Sequence, residues 1–308
     1  EESFASKESL EYWREVDIYL GGSEHATGHL LYSRFWQMFL FDLGLVPTEI
    51  YAKKLINQGM ILGDSALVNR KIETGEYISS ELAENHRVQK LNVDVSIVNS
   101  NNELDIDQFK AWQPEFKNAE FIMNKVFKVD REVQKMSKSK FNVVNPDDIC
   151  DNYGADTLRL YEMFLGPIEQ SKPWNTNGIS GVHNFLNKVW RLFFNDNKLV
   201  VSESEPDKES LKVLHGTIKK INEDIESFSF NTCVSALMIL VNKLNETKCH
   251  SRTVLEDLIV LLSPFAPHIS EELWNVLGHD NSIVDEEYPV HNPKYLIETE
   301  KKYPVSVN

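Results

Sequence analysis

Apolar and polar positions divide the chain into stretches of different period. Residues 16–20, VDIYL, alternate and are rich in β-formers, which predicts a strand ended by Gly21 and Gly22. From about Ser23 a helix is predicted, because Leu30, Leu31, Arg34, Phe35, Met38, Phe39 and Leu43 fall at helical spacing. Gly44 then serves as its C′ residue and Pro47 as its stop. Strand, glycine turn and helix make the unit of a doubly wound α/β sheet, in which ligands sit at the carboxyl ends of strands. Residues 55–62, LINQGMIL, read as a further buried strand or strand pair. The stretch 64–133 is more polar and less regular, and within it NVDVSIV, the turn NSNN and ELDIDQF suggest a hairpin. After the polar, basic loop QKMSKSKFNVVNP, the segments NPDDICDNYG and GADTLRLYEMFLG each predict a helix. Amphipathic helices follow at about 178–195, 208–228, 231–247, 251–263 and 267–278. Pro264 and Pro267 interrupt them and the polar stretch 202–210 links two of them. Short connections of this kind predict an antiparallel bundle.

Composition adds bounds to this picture. With 42% hydrophobic and 26% charged residues over 308 positions, the chain has ordinary globular composition and material for two domains. No apolar run approaches the roughly 20 residues that cross a bilayer, so no membrane association is expected. The start, EESFASKESLEYW, has neither an initiator Met nor an apolar h-region, which suggests a piece of a longer protein. Cys150, Cys233 and Cys249 are far apart with no CxxC, so neither a disulfide framework nor a cysteine zinc site is expected, and a reducing cytoplasm suits the chain. A net charge of −15 argues against nonspecific coating of nucleic acid. The stretch from Lys110 to Lys140 is locally different, with eight basic residues against four acids, and could dock an anion.

The sharpest chemical signal is KMSKS at 135–139, followed by Lys140. Two lysines, two hydroxyls and no β-branched residue make a mobile, donor-rich loop that suits a polyphosphate: the lysines neutralise charge building on leaving phosphates. His25 and His29, four apart, are expected on one helical face, but without HExxH order or a third ligand they suggest no metal site. HATGH only superficially resembles an HxGH element, since Ala26 stands where the first His would fall, and no GxxxxGK[ST] loop occurs. Most tryptophans, Trp174, Trp190 and Trp274 among them, are expected in the core.

KMSKS is the second signature of class I aminoacyl-tRNA synthetases. Its flank NVVNPDDICDNYGADTLRLYEMFLGP resembles the leucine, isoleucine and valine subgroup, as does LLSPFAPHISEELW, which is like that subgroup's anticodon-domain signature. YLGGSEHATGHLLYSRFWQMFLFDLGLV and GPIEQSKPWNTNGISGVHNFLNKVWRLF are similar to the leucyl-tRNA synthetase family in particular. One departure is Phe141, where the family often has a small residue such as Gly; an aromatic there could stiffen the loop.

The resemblance implies an α/β plus all-α chain: the second half of a Rossmann-like catalytic domain (1–63), a small α+β insertion (64–133), the KMSKS and stem-contact segment (134–175), a helical anticodon-binding bundle (176–290) and the start of a linker (291–308). It implies ATP with Mg2+, leucine and tRNA(Leu) as partners, a monomer, and no protein-bound metal. The half bearing the HIGH signature and any editing domain would lie outside the chain. By position, Lys135 and Lys138 take the catalytic role. Gly22, Glu24, His25 and His29 match the segment lining the adenylate and tRNA 3′ end. Gln58, Met60 and Ile61 match the adenine and ribose wall; Met136, Ser137 and Ser139 complete the nucleotide loop. Lys140, Lys188 and Arg191 would meet the tRNA backbone. A tRNA-binding paralogue without catalysis, and a valine or isoleucine enzyme, remain alternatives; the intact lysines favour an enzyme.

Overall fold

In the computed structural model, which describes residues 4–297, the chain forms two compact units. Among the described residues, the first comprises 4–144 and 169–174, the second 145–168 and 175–297. The segment 134–175, read as one piece from sequence, is thus shared between them.

The first unit opens with α1 (Lys7–Trp13), capped by the Ser6 hydroxyl, which accepts from the Ser9 amide. Strand β1 (Val16–Gly22) runs through both glycines and pairs in parallel with β2 (Ala52–Gln58). The connection between them is α2 (His29–Asp42), closed by Gly44 at φ 69°, a left-handed position that costs glycine nothing. This is a strand–helix–strand crossover. The helix begins later than its periodicity predicts: residues 23–25 form a separate single 3-10 turn, and α2 starts at His29. His25 and His29 therefore do not share a face of one helix, although their ring centroids lie 6.3 Å apart.

Residues 55–62 resolve into the end of β2 and the beginning of β3 (Ile61–Lys71), broken at Gly59 and Met60. Strand β3 is the axis of a second sheet. It pairs antiparallel with β4 (Tyr77–Ile78), β5 (Val88–Val93) and β7 (Asp130–Lys135), and in parallel with β8 (Lys172–Pro173). Strand β6 (Phe121–Ile122) extends the sheet beyond β4. Over this sheet lies a core of Ala66, Val68, Tyr77, Val93, Phe109, Phe127 and Val129. The expected hairpin over 92–108 is reduced to one bridge, Val98 to Leu104. ELDIDQF instead starts helix α3 (Ile106–Trp112), because the Asp105 carboxylate accepts from the Gln108 amide and caps it.

The second unit is helical: α4 (Pro146–Tyr153), α5 (Ala155–Phe164), α6 (Thr176–Phe193), α7 (Lys208–Glu226), α8 (Phe230–Thr247), α9 (Arg252–Leu262) and α10 (Pro267–Val276), with a short hairpin of β9 (Phe194–Asn195) and β10 (Lys198–Leu199). Helix ends are satisfied locally. The Asp207 side chain accepts from two amides at the start of α7, and Lys248, at φ 53°, closes α8. Buried Asp156 on α5 accepts from the amides of His268 and Ile269 and from His268 Nδ1, capping α10 from a neighbouring helix. The tryptophans divide: Trp174 and Trp274 are buried, whereas Trp190 is 37% and Trp36 55% exposed. Trp190 stacks instead on Phe194, with centroids 4.6 Å apart. The expected linker over 291–308 lies outside the described residues from 298 onward.

Helix α5 packs on α6, α8 and α10 and buries Leu160 and Tyr161 fully or nearly so. A segment starting at residue 145 is therefore expected to fold alone, with a helical circular dichroism spectrum and a cooperative melt. A segment starting at 178 lacks α5 and is expected to melt lower or to lose cooperativity, since losing such large buried side chains costs about 2–5 kcal/mol each. Equal melting of the two segments would show that α5 is dispensable.

Candidate nucleotide and adenylate site

The predicted site residues of the first unit gather on two backbone edges. The register of the parallel pair sets Gly22 opposite Gln58 at the carboxyl end of β1 and β2. A ligand is expected at this edge of a doubly wound sheet. Gly22 leads into the 3-10 turn bearing Glu24 and His25. The Glu24 carboxylate folds back so closely over Gly22 that a β-carbon there would lie 2.0 Å from its Oε2. His29, the first residue of α2, bonds through Nε2 to the Tyr19 hydroxyl and stacks beside that ring. Tyr19 is a site neighbour that sequence reading missed; its alternation partners in VDIYL drew attention to the strand, not to the side chain.

The second edge is the beginning of β3. Met60 donates its amide to the Ser171 hydroxyl and accepts from the Lys172 amide, and Ile61 stands in register with Lys172. Gly59 allows this approach: a β-carbon there would sit 2.1 Å from the backbone carbon of Gln170. Burial holds the Lys172 ammonium below the usual lysine range. One residue further along β3, Leu62 pairs with Lys135, the last residue of β7. The ladder thus delivers the first lysine of KMSKS next to Met60 and Ile61.

The loop itself is a 3-10 turn over Lys138, Ser139 and Lys140, with Ser137 extended before it and its hydroxyl 3.1 Å from that of Ser139. Its base is held by Asn142, which is 1% exposed. The Asn142 Oδ1 accepts from the Ser137 amide at 2.9 Å, while Nδ2 donates to Ser65 Oγ at 2.8 Å and to the Lys135 carbonyl at 3.4 Å. Gly63 makes room for it, since a β-carbon there would come within 2.9 Å of three Asn142 atoms. Asn142 was not singled out from sequence, where it reads as an ordinary loop polar residue.

Charge is distributed unevenly around the loop. Within the basic stretch, Lys128 pairs with Glu103 and Arg131 with Asp64. Lys110 lies over the Phe121 ring at 5.5 Å. Among the described residues, Lys135, Lys138 and Lys140 form no ion pair, and Lys135 and Lys138 are exposed. Two uncompensated ammonium groups, one ending β7 and one on the turn that follows it, can neutralise an anion. In the second unit, Lys188 and Arg191 are exposed on α6, and Lys188 donates to Asn242 Oδ1 at 2.8 Å.

A parallel strand–helix–strand unit, a lysine-rich loop delivered by a β ladder, and a helical second unit are the parts expected of a piece of a class I tRNA synthetase. In agreement, residues 113–172 match the family described as tRNA synthetases class I (I, L, M and V), and residues 207–308 match the anticodon-binding domain of tRNA ligases. The chain belongs to the leucine–tRNA ligase family. It is 61% identical over its whole length to the leucine–tRNA ligase of Flavobacterium johnsoniae and 55% identical over 99% of its length to that of Cytophaga hutchinsonii. It spans 32% and 33%, respectively, of those relatives. Among solved structures, LeuRS of Agrobacterium radiobacter K84, in a ternary complex with tRNA and LeuAMS, matches with a TM-score of 0.60 at 27% identity, covering 91% of this chain and 30% of that one. Mycobacterium tuberculosis methionyl-tRNA synthetase shares the fold, with a TM-score of 0.51 at 14% identity over 89% of this chain and 46% of that one.

Proposed function

We propose that the full-length protein is an ATP-dependent leucine–tRNA ligase, and that this chain supplies its KMSKS half of the nucleotide site and its helical tRNA-binding domain. The leucine carboxylate attacks the α-phosphorus of Mg2+-ATP, a carboxyl–phosphate bond forms, and pyrophosphate departs with the electrons of the broken bond. A hydroxyl of the terminal ribose of tRNA(Leu) then takes the leucyl group, and AMP leaves. No covalent enzyme intermediate is required, so catalysis is orientation plus charge stabilisation.

In this reading Lys135 and Lys138 hold the phosphates, with Ser137 and Ser139 donating beside them, and Met136 packs near the adenine. Gln58, Met60 and Ile61 form the adenine and ribose wall. Gly22, Glu24, His25 and His29 line the adenylate and the tRNA 3′ end. Lys140, Lys188 and Arg191 meet tRNA phosphates, contacts that position RNA rather than read it. The observation that carries the proposal is the pair of registers, Gly22 with Gln58 and Leu62 with Lys135, which support a nucleotide site built on two strand edges that the short break at Gly59 and Met60 joins.

We also propose that further chain covers β1 and α2. Tyr32 is 71% and Phe35 67% exposed, and Leu40 is the only residue of α2 that is buried. Each such ring or aliphatic chain gains about 1.5–3 kcal/mol on burial, and a two-stranded sheet is marginal by itself.

The test is leucine-dependent ATP–pyrophosphate exchange by the full-length protein, with valine and isoleucine as alternatives. Exchange specific for leucine is expected. Preference for valine or isoleucine would move the protein within the subgroup, and tRNA binding without any exchange would make it a noncatalytic paralogue.

A further inference from the structure

The residue that follows KMSKSK is Phe141, and it adopts a left-handed conformation, φ 52° and ψ 33°. Glycine occupies that region freely; an L-residue with a bulky side chain is strained there. A strained aromatic persists only where its surroundings hold it. Here the Phe141 ring meets Trp112 edge to face, with centroids 4.6 Å apart and planes at 83°. Trp112 is the last residue of α3 and belongs to the insertion, not to the loop. It stacks on Phe116, which in turn stacks on fully buried Phe109 at 4.5 Å, so the contact ends in the insertion's core. A second tie lies beside it: the Val95 amide donates to the Phe141 carbonyl at 3.2 Å.

We propose that Phe141 and Trp112 form an aromatic latch that fastens the C-terminal side of the KMSKS loop to the insertion, and that both are positioning residues for its lysines. Asn142 pins the base of the loop, and the latch fixes the direction in which the 3-10 turn leaves it. Lys138 and Lys140 sit one turn from the latch, so displacing α3 moves them, and freeing them requires the ring contact to open. The role in nucleotide binding rests on the function proposed above; the mechanical tie does not.

Trypsin reads the tie directly, because it cuts after Lys138 and Lys140 only when the turn opens. The 308-residue chain is digested briefly and cut positions are timed by mass spectrometry. Phe141→Gly keeps the left-handed backbone and removes the ring; Trp112→Ala removes the other half. Each is expected to speed cutting at Lys138 and Lys140 by about tenfold, the factor an aromatic pair and the surface it covers supply. Cutting within the helical unit is expected to stay constant. The double variant is expected to be no faster than the faster single one, because the two act through one contact. Trp112→Phe and Phe141→Tyr are expected to restore slow cutting.

Phe141→Gly leaves the insertion's core intact, so it remains informative if Trp112→Ala unfolds. Cutting of Phe141→Gly within twofold of wild type, or additive effects in the double variant, would overturn the latch. In the full-length protein the same glycine variant is expected to raise the KM for ATP while leaving that for leucine in place. Absence of exchange by the wild type would instead count against the proposed function and leave the proteolysis to judge the latch.

Discussion

Lys138→Ala in the full-length protein is expected to slow leucine-dependent ATP–pyrophosphate exchange by about 10²–10³, the usual loss when one donor to developing charge is removed. The side chain is exposed, forms no ion pair, and lies on a turn whose base is fixed by Asn142. Its deletion therefore leaves no buried group unsatisfied, and the fold has no reason to respond. The loss is expected in the maximal rate rather than in the KM for leucine, and the melting temperature is expected to stay within about a degree or two, as for ordinary surface substitutions. Substitution by Arg keeps the charge and is expected to recover only part of the rate, because a planar fork presents its donors differently from an ammonium group. An unchanged maximal rate in Lys138→Ala would remove this lysine from the mechanism.

The second large effect concerns the isolated 308-residue chain, which is expected to bind tRNA weakly and to make no leucyl-adenylate. In the proposed function the edge at Gly22 and Gln58 is one side of the nucleotide site, and apolar residues of β1 and α2 are exposed. Without the facing wall the orientation contribution is lost, which amounts to about 7–11 kcal/mol at most. Incubation with leucine, ATP and magnesium is therefore expected to give exchange at background, and leucine-dependent exchange well above it would show that one wall suffices. For tRNA, three phosphate contacts by Lys140, Lys188 and Arg191 predict a fall in affinity of about fortyfold between 50 and 200 mM salt. A flat salt dependence would mean that these residues do not touch phosphates.

Much of the helical unit was legible because its longer helices repeat their apolar face over three turns or more, and the shorter ones open at a capping residue or a proline. Val254, Leu258, Leu261 and Leu262 are all fully buried, as their spacing requires. The insertion was harder. ELDIDQF alternates like a strand, yet the Asp105 side chain accepts from the Gln108 amide in the first turn of a helix, and that short-range bond decides the matter. The single 3-10 turn at 23–25 was invisible for a similar reason: a helical period says where apolar residues fall and not where the first hydrogen bond closes. Tryptophan burial was overestimated because a large ring can be satisfied by one stacking partner, as Trp190 is by Phe194. At the site, residues that act by side-chain type drew notice, whereas Asn142, Gly59 and Gly63 act by what they fit against, and a pattern of types carries no trace of that.

Strand β3 has a further consequence, for which changes of length the chain can tolerate. Its eleven residues span about 36 Å as one extended rod, at roughly 3.3 Å per residue. One end pairs with Lys135 and Lys172, and the other with β4 and β5. Adding or deleting one residue anywhere along it reverses the facing of every side chain on one side of the change. The core over this sheet would then receive Ser65 and Asn69 in place of Ala66 and Val68, or Lys135 would lose its strand partner. Natural variation in the size of the insertion should therefore collect at its turns, around residues 73–76, 99–102 and 117–120. The strand that joins this sheet to the KMSKS loop should keep its count.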